Sequence, residues 1–501
     1  MVEPAQAASH SAERASGFKA TWLDALTLML IAGLGLLHLH AAFSGDQFLY
    51  MVGAKKLAHG GVMYRDFWDL KQPLIYYIYE LAGRVFGFTE AGIHVFETIY
   101  QTLFAAVLIR VCANRFAYRW LASLVPLFTI GAYYGFANYL VLSSVEAFAG
   151  FPIFASAVLA AGAVEGKPGA DGRAFAAGVS AAVVAALKLA YLPIVVMMWL
   201  VPLFMSLNGR HRVRVQRFLL LGALGFVIPI ALAVLAFAAA GALETALRTT
   251  FIDPPEIVRH LTAADRGPFK SEAVAFIRAM WPLFVLALAG AVWARPRTDA
   301  FKLQMLFWTI AGCALIAAQE WSFYYKFFIV VVPVGVLAAL GLEHLLSTVN
   351  MRRDWTRAVL AVALAAMLAS VGTTAVHMQR RWALWDRENR AYAASSIAFL
   401  GRPGARQGPI YVFGHPRIYY FSGREQAVAI NGFSPQLLLG AQWRALRDEL
   451  AAVAPVYIFV ERDGYVPVAP LVRASPQLTA LLASSYRVAA ASSDGTWYEH
   501  R

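Results

Sequence analysis

Uninterrupted apolar runs of about 20 residues, the length a helix needs to cross a bilayer core, recur along this 501-residue chain. The clearest occupy residues 22–43, 91–111, 120–136, 145–164, 218–240, 273–293, 303–318, 327–346 and 358–375. Residues 175–207 are too long for one crossing and are broken near Lys188 and Pro193, so they read as two short spans, giving eleven in all. Composition agrees: the chain is 59% hydrophobic, against roughly 45–50% in an ordinary soluble domain. The expected fold is an α-helical polytopic membrane protein.

Topology follows from charge. Residues 1–21 carry Glu3 and Glu13 and no cleavage-site pattern, so they are expected to be a cytoplasmic tail and the first span an uncleaved signal anchor. The net charge of +13 does not point to nucleic acid, because the basic residues fall in alternate loops. These are Arg110, Arg115 and Arg119; Arg210, Arg212, Arg214 and Arg217; Arg295, Arg297 and Lys302; and Arg352, Arg353 and Arg357. The positive-inside rule makes those loops cytoplasmic. A multi-pass protein of a bacterial inner membrane is expected, with a transmembrane domain over 22–376 and outside loops at 44–90 and 244–272. Residues 377–501 then form a small periplasmic α/β domain, with strand-like runs at 410–413, 428–430, 456–460 and 486–490 and helical patterns at 436–451 and 476–483. Cys112 and Cys313 provide no disulfide framework.

The first outside loop is the richest in chemistry. Amphipathic pieces at 48–58 and 73–86 suggest helices lying in the membrane interface, with Tyr76, Tyr77 and Tyr79 at headgroup depth. Asp46 follows the first span, and a Gly-rich turn with Gly61, Tyr64, Arg65 and Asp66 leads to Asp69, Lys71 and Pro73. Opposite charges thus meet at the bilayer surface.

This order resembles the GT-C superfamily of membrane glycosyltransferases, in the branch of the protein O-mannosyltransferases and the aminoarabinose transferase of lipid A. There a first-loop carboxylate is followed by a G-x-x-Y-x-D turn and a K-x-P motif, positions taken here by Asp46, Gly61, Tyr64, Asp66, Lys71 and Pro73. The resemblance covers roughly residues 22–346. It departs at Gln47, where an acid is common, and at Gln72, where a proline is common. The single carboxylate at 46 argues against a metal there, and no cofactor is expected.

The resemblance implies a glycosyltransferase that moves a sugar from a polyprenyl-phosphate donor to a hydroxyl or phosphate of an envelope glycan, lipid or protein, with inversion. Such chemistry needs a base at the acceptor and cations at the departing phosphate. Asp46 is expected as the base, although Asp is also a favoured N-cap. Lys71 is the leading phosphate contact, oriented by Asp69, and an interfacial Lys that snorkels is the plainer reading. Arg65 and Asp66 read as a pair within the turn. Glu146, an ionisable residue at the outside end of a span after Asn138, Tyr139, Ser143 and Ser144, is expected to position the acceptor or tune Asp46. Tyr325 and Lys326 match an aromatic-basic pair before Pro333 and suggest a second phosphate contact. Tyr64 and Arg248 complete the expected substrate-binding set. Arg259, His260, Arg266 and Lys270 add basic groups that nothing in the spacing ranks.

Other features carry less. Lys188 interrupts an apolar stretch, either at the outside surface or with a functional role. His38 and His40 are two apart on a helix and do not face each other, which leaves interfacial histidines rather than a metal pair. Gly414, His415, Pro416 and Arg417 follow a strand-like run and fit an ordinary Gly-Pro turn or a ligand site. No nucleotide-binding or nucleophile motif occurs. A transporter or flippase of lipid-linked sugars is the alternative function, but no internal repeat is evident. A membrane scaffold leaves the Asp46–Pro73 motif unexplained.

Overall fold

The computed structural model describes residues 20–138, 140–207, 212–260, 269–293, 300–319, 323–348, 354–462 and 468–501. Glu3, Glu13, Tyr139, Arg210, Arg266, Arg295, Arg297, Arg352 and Arg353 lie outside the described residues, as do the side chains of Arg212, His260 and Arg357.

Helices occupy all eleven expected positions. Among the described residues, eight are long and apolar enough to cross a membrane. The long apolar stretch divides as the sequence suggests, into helices Ala170–Leu187 and Leu192–Leu207, with Lys188 in extended backbone between them. Helix Arg212–Ala239 shows Leu220, Val227, Leu232 and Leu235 more than half exposed, an apolar surface suited to lipid. Helix Val331–Thr348, by contrast, is central and almost wholly buried. It meets helix Phe269–Trp293 backbone to backbone, because Gly290 faces the Leu337 carbonyl and Gly341 the Leu286 carbonyl, leaving no room for a Cβ at either.

The first span is shorter than expected. Helix Trp22–Leu37 ends six residues before Phe43, and the chain turns inward. Phe43 is buried there, its carbonyl accepting hydrogen bonds from Asn389 Nδ2 (3.1 Å) and Trp385 Nε1 (3.3 Å). His38 is a core residue and not an interfacial one. Trp382 Nε1 donates to its Nδ1 (2.9 Å) and its Nε2 donates to the Tyr134 carbonyl (3.0 Å), so both ring nitrogens are satisfied. At the opposite end of this span Arg119 pairs with Asp24 at 2.7 Å. Helix Arg119–Pro126 passes through a π turn, Leu127–Gly131, right after Pro126, a common consequence of a proline's missing N–H.

The segment 44–90 holds helices Gly45–Ala58 and Leu74–Phe86. The former is not amphipathic: residues 47–54 are all buried, because protein covers it on every side. The latter is amphipathic, with Tyr76 and Tyr79 fully buried and Tyr77, Leu81, Val85 and Phe86 outward. Tyr76 and Tyr79 therefore pack in the protein core and do not face outward.

A 48-residue helix, Asp354–Gly401, runs without interruption past position 376 into the α/β part. That part carries strands β1 (Ile410–Phe413), β2 (Tyr457–Glu461), β3 (Tyr486–Ala491) and β4 (Gly495–His500) in the order β1-β2-β4-β3. Strands β1 and β2 are parallel, joined through helix Gly440–Val453, and the other pairs are antiparallel. Residues 428–430 do not form a strand. Ile430 instead makes a single bridge to Trp68 of the first outside loop.

Candidate functional site

The site begins where the first span ends. Ser44 is the N-cap of helix Gly45–Ala58, its N–H donating to Gln47 Oε1 (2.5 Å), so Asp46 in the first turn has no capping role. The Asp46 carboxylate lies 3.2 Å from Lys71 Nζ and is 32% exposed, which leaves it open to a substrate. Lys71 Nζ also lies 3.3 Å from Asp69 Oδ2 and 5.5 Å from the centre of the Tyr50 ring. Asp69 is buried, and takes further hydrogen bonds from Leu70 N (2.8 Å) and Tyr76 OH (2.5 Å). Tyr64, in the left-handed region at φ +68°, donates its hydroxyl to the Lys71 carbonyl (3.0 Å). Burial opposes charge on Lys71, but Asp46 and Asp69 outweigh it and hold the ammonium above its ordinary value. Lys71 is therefore a fixed cation bridging two carboxylates.

Glu146 starts helix Val145–Val164 with a side chain only 1% exposed. Lys188 reaches it from the break between two spans, at 2.8 Å, and Tyr191 OH donates to the same oxygen (2.6 Å). Lys188 also lies 4.7 Å from the centre of the Tyr191 ring. The interruption of the apolar stretch thus supplies a half-buried counter-ion to the buried Glu146.

The 3₁₀ segment Tyr324–Val330 joins the two halves. Lys326 lies within electrostatic reach of Lys188, Glu146, Asp46 and Lys71. The buried Tyr50 phenol is pushed well above its ordinary value by burial and then by Asp46, Tyr76, Tyr325 and Glu146. Two ion-pair groups, Asp46–Lys71–Asp69 and Glu146–Lys188, accordingly lie within electrostatic range of Lys326.

Arg248 stands apart. Its ion pair among the described residues is with Asp253 (3.6 Å), which also accepts from Gln442 Nε2 of the α/β part (3.0 Å). The neighbouring Thr249 receives a hydrogen bond from Trp68 Nε1 (2.9 Å). Trp68 N donates to the Ala429 carbonyl (2.9 Å) and Asn431 Nδ2 to the Trp68 carbonyl (2.8 Å). Phe433 packs so closely on Gly45 that no Cβ fits there. The α/β part therefore clasps the loop carrying Asp69 and Lys71 and the start of the helix carrying Asp46. His415 is half-buried between Phe48 and Phe433, with ring centres 5.6 and 5.5 Å away, and Arg417 Nη1 donates to Asn389 (2.9 Å), so the 414–417 turn is packed. A cavity of about 690 Å³ lies between the sheet and helices Val468–Ala474 and Pro476–Ser485. Another of about 280 Å³ lies between helices Gly45–Ala58 and Arg417–Ser422, and neither is lined by Asp46 or Glu146.

No family model matches the chain, and no curated protein matches it in sequence. Solved structures do. ArnT from Cupriavidus metallidurans bound to undecaprenyl phosphate superposes with a TM-score of 0.63 over 95% of this chain and 97% of that one, at 13% identity. The chain has the fold of ArnT. In its apo state ArnT matches with a TM-score of 0.60, 14% identity and the same coverage. Because nearly all of both chains is covered, the ArnT fold extends over the membrane bundle and the α/β part alike. At 13–14% identity the likeness is one of fold.

The sequence pointed to Asp46, Asp69, Lys71, Glu146 and Lys326 but missed Tyr50, Tyr191 and the pairing of Lys188 with Glu146. It also passed over His94 and Glu97, two ionisable residues inside the 91–111 run, which is itself a signal.

Proposed function

We propose that this protein is a glycosyltransferase that takes its sugar from a polyprenyl-phosphate carrier and passes it to an acceptor outside the cytoplasm. The observation that carries this reading is the Lys71 ammonium held between Asp46 and Asp69, on a fold shared with a protein that binds undecaprenyl phosphate. A cation so placed suits the phosphate of a lipid headgroup, and a half-open carboxylate beside it suits a base.

The steps follow from charge. The donor phosphate competes with Asp46 for Lys71, so donor binding releases the base. The acceptor hydroxyl oxygen then attacks the anomeric carbon as Asp46 takes its proton. The bond between that carbon and the phosphate oxygen breaks, and the electron pair leaves with the carrier phosphate. Lys71 and Lys326 stabilise the charge that develops there. Attack from the face opposite the leaving group inverts the anomeric centre. Glu146, fixed by Lys188 and Tyr191, holds the acceptor. Tyr64 and Tyr325 line the donor side, and Arg248 in the second outside loop belongs to the rim. In this reading residues 377–501 are a periplasmic domain of an inner-membrane enzyme.

The test is transfer of radiolabelled sugar from a panel of polyprenyl-phosphate sugars in reconstituted membranes, comparing the native protein with Asp46→Asn and Lys71→Ala. Loss of transfer in Asp46→Asn with carrier binding intact supports the base. Transfer unaffected by that change moves the base elsewhere, to Glu146 first. Movement of intact lipid-linked sugar between leaflets, without transfer, overturns the enzyme reading in favour of a flippase.

A further inference from the structure

Behind the two acidic arms of the site lies a polar network that the mechanism above does not use. Glu97 and His94 face each other from consecutive turns of helix Glu90–Cys112, with side chains 1% and 2% exposed. His94 Nε2 donates to the Ala41 carbonyl (3.0 Å), and Nδ1 lies 3.0 Å from Ser143 Oγ. Ser143 donates its hydroxyl to Glu97 Oε2 (2.6 Å), and Tyr133 OH donates to Glu97 Oε1. So many polar groups without solvent are costly unless all are paired, and here they are.

These bonds converge on one turn. Ser143 is fully buried and sits at φ +54°, a left-handed backbone that few residues other than glycine adopt freely. Three residues later comes Glu146. The Ser143 carbonyl accepts from Tyr79 OH (2.9 Å), and the Leu142 carbonyl accepts from Gln47 Nε2, on the residue next to Asp46. Five side chains from four segments thus hold a strained turn against the helix that carries the base.

We infer that Glu97, acting through the Ser143 hydroxyl, is a positioning residue that fixes the 142–144 turn and so sets where Glu146 stands relative to Asp46. This rests on the glycosyltransferase reading. Gln47, where an acid is common in similar transferases, serves here as the strut between the two carboxylate-bearing segments. Packing alone would not require a hydroxyl at 143, since glycine tolerates the backbone better.

The test uses the full-length protein in vesicles with the panel of polyprenyl-phosphate sugars. Glu97→Gln and Ser143→Ala are expected to lower kcat about 10- to 100-fold while the donor KM stays nearly constant, as a misplaced reacting group does. Ser143→Gly is expected to lose less than Ser143→Ala, because it loses the anchor but not the turn. In the double variant Glu97→Gln/Ser143→Gly, glycine supplies the turn that the missing anchor no longer holds, so activity recovers above Glu97→Gln alone. Losses that simply multiply in the double variant, or a rise in donor KM with kcat unchanged, overturn the inference. Amide exchange over residues 140–148 is measured on the same samples. Faster exchange is expected in Ser143→Ala and Glu97→Gln than in Ser143→Gly. Absence of transfer by the native protein would defeat the enzyme reading, and the exchange pattern would still decide the positioning role.

Discussion

Trp68 and Thr249, far apart in the chain, share a hydrogen bond of 2.9 Å from the indole Nε1 to a buried hydroxyl. This bond ties the 44–90 and 244–272 loops together next to Asp69. Replacing Trp68 by Phe keeps most of the ring and strands the Thr249 hydroxyl, whose residue is 1% exposed. A loss of about 1–3 kcal/mol is expected, read as a lower midpoint of thermal unfolding in detergent, and Thr249→Val in the same background should restore part of it.

Gly45 and Phe433 offer a steric test of the clasp. A methyl group at position 45 runs into the Phe433 ring, so Gly45→Ala is expected to destabilise the protein by about 1–3 kcal/mol and to lower transfer. Phe433→Ala opens the space, and the double variant should transfer faster than Gly45→Ala alone. No recovery in the transfer assay would mean that the clasp does not govern the geometry at Asp46.

Breaking the pair at Glu146 should be worse than removing it. Lys188→Met leaves a carboxylate that is 1% exposed without its ion-pair partner at 2.8 Å, at a cost of about 3–5 kcal/mol. Lys188→Met/Glu146→Gln is expected to unfold at a higher temperature than Lys188→Met, while transfer stays low because the acceptor contact proposed for Glu146 is gone. Unfolding and transfer assays on the native protein and these two variants separate the two effects.

The turn before Lys71 should respond to acid. Asp66 accepts hydrogen bonds from Arg65 (2.7 Å) and Val62 N (2.7 Å), and Arg65 first, against the opposing effect of burial, holds the carboxyl below its usual range. A depressed folded value stabilises the turn above the unfolded value, near pH 3.9, and that contribution disappears as pH falls through the folded value. The native protein should therefore exceed Asp66→Asn in unfolding midpoint at neutral pH, with the gap closing below about pH 3.9.

The spans were legible because length and apolarity act within one continuous stretch. The first-loop site was legible too, since Asp46, Asp69 and Lys71 lie within one outside loop and its motif carries a resemblance. What escaped was set by contacts between distant segments. Glu146 and Lys188 meet across 42 positions, and Ser143 and Glu97 across 46, through helix packing that no local pattern encodes. Burial was misjudged for the same reason: Tyr76 and Tyr79 look like headgroup aromatics until Tyr50, Phe67, Phe43 and Ser143 are seen to pack on them. Strand β4 (Gly495–His500) was missed because its alternation is weak and its neighbours β2 and β3 supply the pairing.

Helix Asp354–Gly401, at 48 residues, is a rod of about 70 Å. A tilt of only about 5° at its membrane end would sweep the far end through about 6 Å, more than the length of one helical turn. The clasp on Trp68 and Gly45 hangs from that far end. Small rocking of the bundle would therefore be magnified at the clasp, with no break in the rod to absorb it.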